Sequence, residues 1–434
     1  MILYRLLYGF FITGYKMLIH FASFWNPKAK LWVNGRKNIF IKLGQDFEKD
    51  SPDIIWMHCA SVGEFEQGRP LLENIKILYP GYKILLTFFS PSGYVALKGS
   101  TLPDYIYYLP FGNSLVAQRF INLVKPALVL WIKYDYWYYY LQELKKKNIP
   151  VLLISANFSK DQLFFKWYGK LYQEMLHFFS HLFVQTEQSK HLLHTIGFSK
   201  NITIAGDTRF DRVIEIANGF TAIDTIDQFC GHEKVIVAGS TWREDEEGLD
   251  HFANTHPEIK FIIAPHEIDE PHLKNIEKLF KSSVRYSVFQ KQLTTDQGPA
   301  RKNSGEGKEA PANVLIIDNI GMLSRLYKYA TVAYVGGGFG EDGVHNILEA
   351  AVYGKPVIFG PVFNKYIEAI ELLEEKAAFT VDNALELEKV LVNLFSDTVI
   401  YREMCEAAKK YVTSKKGATE TILRYIQEKR LLTS

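Results

Sequence analysis

Cysteine is scarce. Cys59, Cys230 and Cys405 are the only three in 434 residues, odd in number and widely spaced. That excludes a disulfide framework, fits a reducing cytoplasm, and offers no zinc-ligand spacing. Uncharged runs long enough to cross a bilayer are also missing. The first 25 residues are strongly apolar and aromatic, but Arg5, Lys16 and His20 interrupt them, short of the roughly 20 residues a crossing helix needs. No acid occurs before Asp46, although Arg5, Lys16, Lys28, Lys30, Arg36, Lys37 and Lys42 do. The formal net charge is only +2, too small to point to nucleic acid, so the placement of charge matters more than its sum. No Asp-x-Asp stands at the end of an apolar run. Neither a metal nor any other cofactor is therefore indicated, and Glu244-Asp245-Glu246-Glu247 reads as the acidic first turn of a helix.

What is present at the N-terminus is a pattern. With a period of 3.6, Arg5, Gly9, Thr13, Lys16, His20 and Ser23 fall on one narrow strip, with Leu, Phe, Tyr and Ile around the rest. A helix lying in a membrane interface has this form. Trp25 and the basic residues up to Lys42 suit an anionic headgroup layer on the cytoplasmic side. A helix docked on its own domain shares the pattern, while Lys16 breaks the core that a signal peptide would need.

From Asp53 onward, short apolar runs alternate with amphipathic stretches: Ile54 to Met57, Ile84 to Phe88, Ala127 to Trp131, Val151 to Ile154 and Leu182 to Val184. The series restarts at Val235 to Ala238 and continues through Phe261 to Ala264, Val314 to Ile317, Val332 to Val335 and Val357 to Phe359. This is the βαβ pattern of parallel sheets, and the length favours two domains. The expected organisation is a membrane-anchoring helix (1–30), a first Rossmann-like domain (31–215), a second (216–415), and a C-terminal helix (416–434) placed to return to the first. Residues 290–313, rich in Lys, Gly, Ser, Thr and Gln, read as a mobile surface insertion.

Two segments carry candidate chemistry. Gly336-Gly337-Gly338-Phe339-Gly340-Glu341-Asp342-Gly343 follows one apolar run and precedes a helical pattern, the arrangement of a phosphate-binding turn. Asn346 and Glu349, one turn apart, are spaced to meet a ribose diol, and equally to form a capping box that needs no ligand. Glu64 sits in His58-Cys59-Ala60-Ser61-Val62-Gly63-Glu64, in the first turn of a helix that leaves the first strand. A carboxylate there can take a proton from an acceptor hydroxyl, or close a Ser61-x-x-Glu64 capping box.

The ordered set Ala60-Ser61-Val62-Gly63-Glu64, Thr87-Phe88-Phe89-Ser90-Pro91-Ser92-Gly93, Gly206-Asp207-Thr208-Arg209-Phe210-Asp211, Ser240-Thr241-Trp242, Gly343-Val344-His345-Asn346-Ile347-Leu348-Glu349 and Gly360-Pro361 resembles the 3-deoxy-D-manno-octulosonic acid (Kdo) transferases of lipopolysaccharide synthesis. The resemblance covers nearly the whole chain. It implies an α/β protein of GT-B type, with two doubly wound domains facing a central cleft, that moves Kdo from CMP-Kdo to a lipid A precursor (lipid IVA) at the cytoplasmic face of the inner membrane. It implies Glu64 as the base, with Asp135 as a second catalytic carboxylate. Donor contacts fall on Ser240, Thr241, Pro265, His266, Gly321, Gly343, His345, Asn346 and Glu349, and acceptor or sugar-carboxylate contacts on Ser61, Gly63 and Arg209.

The chain departs from the family pattern at several places. The family's Glu-x-Glu after the strand near Trp131 is Lys133-Tyr134-Asp135, its Pro-Arg-His is Pro265-His266-Glu267, its lysine before Phe-Asp is Arg209, and its Gly-Gly-His-Asn has Val344 as the second residue. Arg209, Arg243 and Lys133 are candidates for a cation facing the sugar carboxylate. The aromatic cluster Tyr134, Tyr136, Trp137, Tyr138, Tyr139 and Tyr140 can receive acyl chains or a sugar face, or serve as core. The alternatives are a GT-B transferase using a UDP-sugar, a sugar-nucleotide epimerase, and a non-catalytic membrane scaffold.

Overall fold

A computed structural model describes residues 2–48, 52–133, 135–294 and 312–433. The chain forms two compact units, Met1–Arg212 with Lys416–Ser434, and Val213–Lys415.

The first unit is built on a seven-stranded sheet: β1 Ile54–Cys59, β2 Lys83–Phe88, β3 Tyr105–Tyr108, β4 Pro126–Ile132, β5 Val151–Ala156, β6 His181–Val184 and β7 Ile202–Ile204. Its order is β3-β2-β1-β4-β5-β6-β7, and every neighbouring pair is parallel. Alternate residues of β1 enter two cores. Ile54 and Trp56 join one that also holds Val129 and Trp131, and Ile55, Met57 and Cys59 join another with Phe65 and Leu72 of the helix Val62–Leu78. Burial on both faces is what makes such strands read as unbroken apolar runs.

The second unit repeats the plan with β8 Val235–Thr241, β9 Lys260–Pro265, β10 Ser283–Arg285, β11 Val314–Ile316, β12 Val332–Val335, β13 Val357–Phe359 and β14 Ala378–Thr380. The order is β10-β11-β9-β8-β12-β13-β14, again all parallel. The direction of strand order reverses between β1 and β4 in one sheet and between β8 and β12 in the other. Ligands of open parallel sheets bind outside the carboxyl ends of the strands at such a reversal.

All ten apolar runs became strands. The four strands they did not include are β3, β7, β10 and β14, the edges of the two sheets. None of the four is buried throughout, so they lack the continuous apolar run.

The helical tail from Leu385 to Arg430 is three helices. Ala384–Ser396 and Thr398–Ser414 belong to the second unit and Ala418–Glu428 to the first. The last of these buries Ile422, Leu423 and Ile426 against the core containing Ile55 and Leu72, about 1.5–3 kcal/mol for each side chain. Its start is held by Asp211, whose carboxylate accepts the N–H groups of Gly417 and Thr419, each at 2.6 Å. The expected insertion over 290–313 begins too early, because 290–294 lie in the helix Tyr286–Thr294. Residues 295–311 lie outside the described residues, as does Tyr134.

The N-terminal helix, Ile2–Ala22, docks on its own unit through Tyr8, Ile12, Tyr15 and Ile19, and Arg5 pairs with Glu174 at 2.6 Å. The remainder of its apolar surface stays outside, with Leu6, Phe10, Met17, Leu18 and Phe21 exposed. No described helix is long and apolar enough to cross a membrane.

Removing the Asp211 carboxylate should release the last helix. Asp211→Ala is expected to lower stability by about 1–2 kcal/mol and to speed hydrogen exchange selectively in 418–428, measured by exchange mass spectrometry.

Candidate active site

In the first unit, Glu64 stands in the opening turn of the helix Val62–Leu78, just after β1. Its carboxylate turns back past the cap to accept the Ala60 N–H. Ser61, the cap residue, makes no side-chain capping bond, so the Ser61-x-x-Glu64 capping box does not form in its usual reciprocal way. A Cβ on Gly63 would meet nothing closer than Ser61 Oγ at 3.9 Å. Packing inside this unit therefore does not require glycine there.

One turn along the same helix face, Gln67 reaches a buried polar network. Asp207, directly after β7, accepts Gln67 Nε2 at 3.2 Å, Gln185 Nε2 at 3.0 Å and Arg209 Nε at 2.9 Å. Burial works against its charge, but Arg209 and Lys133 nearby outweigh it and hold the carboxyl below its ordinary range. The Arg209 guanidinium is thus committed to Asp207, also through a 2.8 Å ion pair. Lys133 and Ser155, at the carboxyl ends of β4 and β5, have left-handed backbones with φ of 50° and 53°. For residues with a side chain this conformation is costly, and it clusters at functional sites. Asp135 follows β4, 3.6 Å from His58 of β1.

In the second unit the loops after β8 and β12 are tied together by one carboxylate. Asp245, in the first turn of the helix Arg243–Thr255, accepts the N–H groups of Trp242 and Gly337, each at 2.9 Å, and the Tyr334 hydroxyl at 2.7 Å. Beside it, Glu246 accepts the Thr241 hydroxyl at 2.9 Å and pairs with His272 at 2.9 Å. Both acids are buried. The acidic first turn read from the sequence is there, and the burial of these two acids is set by residues distant in sequence.

The glycine run has a different origin from the one expected. A Cβ on Gly338 would lie 2.5 Å from Gly360 N, and one on Gly336 would lie 2.4 Å from the Ser240 carbonyl oxygen. These glycines let protein backbones approach each other. The N–H groups of Gly337, Gly340, Gly343, Val344 and His345 already donate to protein acceptors, leaving fewer for a phosphate than a free cradle would offer. The helix beyond is the single turn Leu348–Ala351, and Asn346 does not cap it. Instead Asn346 Nδ2 donates to Glu349 at 2.9 Å.

Three rings stack at the same edge. His266 lies against Trp242 with centroids 4.7 Å apart and against His345 at 4.5 Å, and Trp242 Nε1 donates to His345 Nε2 at 3.1 Å. Burial, helped by His266 and opposed by Asp342, pushes His345 down to about 4. The ring is neutral near pH 7, as its acceptor role requires. Next to the stack, a cavity of about 160 Å³ is lined by Ser240, Pro265, His266, Asn319 and Gly321 among others. Ser240, with φ of 53°, closes one wall.

Residues 36–212 match the family model described as 3-deoxy-D-manno-octulosonic-acid transferase (kdotransferase). A 3-deoxy-D-manno-octulosonic acid transferase of Aquifex aeolicus is 28% identical over 80% of this chain and 88% of its own length. Over these spans the chain is similar to the Kdo transferase family. That family is one of glycosyltransferases. A bifunctional glycosyltransferase/methyltransferase of Fusobacterium nucleatum is 27% identical over 99% of the chain, which spans only 62% of that relative's length. Among solved structures, a UDP-GlcNAc 2-epimerase from Neisseria meningitidis bound to UDP-GlcNAc superposes with a TM-score of 0.60 at 18% identity, over 86% of this chain and 100% of that one. At that identity the likeness is one of fold, the GT-B type.

Of the family-derived donor residues, Ser240, Pro265, His266 and Gly321 line one cavity, His345 stacks beside it, and Asn346 and Glu349 pair. Thr241 and Gly343 have structural contacts: the Thr241 hydroxyl donates to Glu246, and a side chain on Gly343 would meet the Val362 carbonyl at 2.8 Å. His266 stands at the arginine position of the family's Pro-Arg-His and stacks between Trp242 and His345. Arg243 is exposed and paired with Glu247 at 2.7 Å. Tyr138 and Tyr140 are core residues, while Tyr136, Trp137 and Tyr139 are partly buried against the core. Sequence reasoning missed Gln67, Gln185 and Asn319, which carry no local signal.

The shift at His345 sets a pH dependence. Unfolded, this histidine takes its proton near 6.5; folded, it does so near 4. Between those values the unfolded chain binds a proton that the folded chain refuses, so stability falls as pH drops from 6.5 toward 4. Melting curves from about pH 7 to about pH 5 should show a falling Tm. The fall should be smaller in His345→Gln, whose amide oxygen still accepts from Trp242.

Proposed function

We propose that this protein transfers Kdo from CMP-Kdo to a lipid A precursor with inversion, using Glu64 as general base. The observation that carries the reading is the placement of Glu64: a buried carboxylate at the strand-order reversal of its sheet, at the start of a helix whose Gly63 is not demanded by packing. A CMP-activated keto sugar brings a good leaving group. The protein has only to deprotonate the attacking hydroxyl and stabilise the departing phosphate. Glu64, held by the Ala60 N–H, does the first in the first unit. In the second, the cavity beside His266 takes the nucleotide, Glu349 with Asn346 meets the ribose, and the first turn of the helix Arg243–Thr255 faces the phosphate with its N–H groups. Displacement through an oxocarbenium-like state inverts the anomeric centre. Asp135 is the second carboxylate, and Ser61, Gly63 and Arg209 lie on the acceptor side.

The acceptor is a lipid, and the N-terminal surface suits it. Phe10 is 77% exposed and Trp25 64%. Among the described residues no ion pair engages Lys16, Lys28, Lys30, Lys37 or Lys42, so their charge is available to anionic headgroups at the cytoplasmic face of an inner membrane. Replacing Phe10, Phe21 and Trp25 together by Ser should abolish sedimentation with vesicles containing phosphatidylglycerol while leaving the melting curve nearly unchanged. Equal sedimentation of the variant and the parent would remove the membrane reading.

The test of the reaction is transfer of labelled Kdo, supplied as CMP-Kdo generated in situ, to tetraacylated lipid A precursor. Glu64→Gln should lower turnover by about 10²–10⁴ with CMP binding and folding intact. A protein that binds UDP but not CMP, and transfers no Kdo, would instead be a UDP-sugar enzyme of the same fold.

A further inference from the structure

Two buried polar atoms in the first unit face each other without meeting. His58 Nε2 and Asp135 Oδ2 are 3.6 Å apart, beyond hydrogen-bond reach, and neither bonds to another described residue. His58 is fully buried on β1, its ring against Trp131 with centroids 4.6 Å apart. Its Nδ1 lies 2.9 Å from Thr87 Oγ1, and that same oxygen accepts Trp56 Nε1 at 2.8 Å. An indole N–H only donates. Thr87 is thus the acceptor toward Trp56 and keeps its own proton; donated to Nδ1, that proton leaves the imidazole proton on Nε2, facing Asp135. Asp135 is tethered by its backbone, its carbonyl accepting Trp131 Nε1, and it follows the left-handed turn at Lys133.

An apolar side chain would pack between Trp56 and Trp131 as well as an imidazole does, without a donor to satisfy. We infer that His58 is a positioning residue for Asp135, its Nε2–H closing onto Asp135 Oδ2 to fix the carboxylate when substrate occupies the carboxyl ends of β1 and β4. The movement needed is less than about 1 Å. The functional consequence rests on the transferase reading; the pairing rests on the two atoms themselves.

His58→Leu should lower kcat about tenfold to hundredfold, the scale of a misplaced group, with KM for CMP-Kdo within about twofold of the parent. His58→Gln, whose amide N–H lies near the Nε2 position, should recover most of the loss. In an Asp135→Ala background, His58→Leu should cost nothing further. Parental kcat in His58→Leu, the same factor lost in both backgrounds, or a well-folded His58→Gln as poor as His58→Leu would each overturn the inference. Imidazole ¹⁵N spectra of histidine-labelled protein decide it without turnover: the Nε2–H tautomer, with a proton shift that changes in Asp135→Ala, is expected, and the Nδ1–H tautomer overturns it. Failure of the parent to transfer Kdo counts against the transferase reading alone, because the tautomer is still read.

Discussion

Burial of a parallel sheet on both faces is the constraint from which the rest of this molecule follows. Strands covered by helices above and below have no solvent-facing surface, so polar groups can collect only where strands end. The reversal of strand order opens a gap there. Glu64 and Asp135 follow β1 and β4, the reversing pair of one sheet, while Ser240 lies at the carboxyl end of β8 and the glycine loop follows β12, the reversing pair of the other. Residues far apart in sequence meet because the topology leaves them nowhere else to go.

The same constraint decides what was legible in the sequence. Val151 to Ile154 is recognisable as a strand because every side chain is buried, and the apolar run is the record of that burial. Ile202–Ile204 is only half-buried and breaks its apolar pair with Thr203, so it leaves no run to recognise. The tail was legible as helical, and its last segment was expected to return to the first domain. Thr398–Ser414 and Ala418–Glu428 are alike in pattern, and what sends them to different units is Asp211 holding Gly417, a contact across some two hundred residues.

In the site, residue types were more legible than their duties. The glycines after β12 were read as room for a phosphate. Gly338 and Gly360 crowd each other, and Gly336 crowds Ser240, so those glycines record loop against loop. A sequence shows that a side chain is missing, not which neighbour forbids it. Asp245 and Glu246 show the converse. The sequence placed them in the acidic first turn of a helix, and only the fold shows one binding Tyr334 and the other Thr241 from buried positions. The resemblance to the Kdo transferases pointed to the cavity-lining Ser240, Pro265, His266 and Gly321, which composition alone did not select.

Several buried polar atoms at these strand ends make no hydrogen bond to a described residue: His58 Nε2 and Asp135 Oδ2 in the first unit, and Tyr327 Oη, Tyr353 Oη and Asn346 Oδ1 in the second. Both tyrosines feel the charge of Glu349, after burial the first influence raising their pKa values. An unsatisfied buried group costs about 1–3 kcal/mol, and removing several would be an easy route to a more stable fold. Those at Asp135 and near Glu349 stand where a site shaped for polar ligands would need them. A ligand that supplies the missing partners recovers that cost on binding, and so stabilises the folded chain by more than its apolar contacts alone would give.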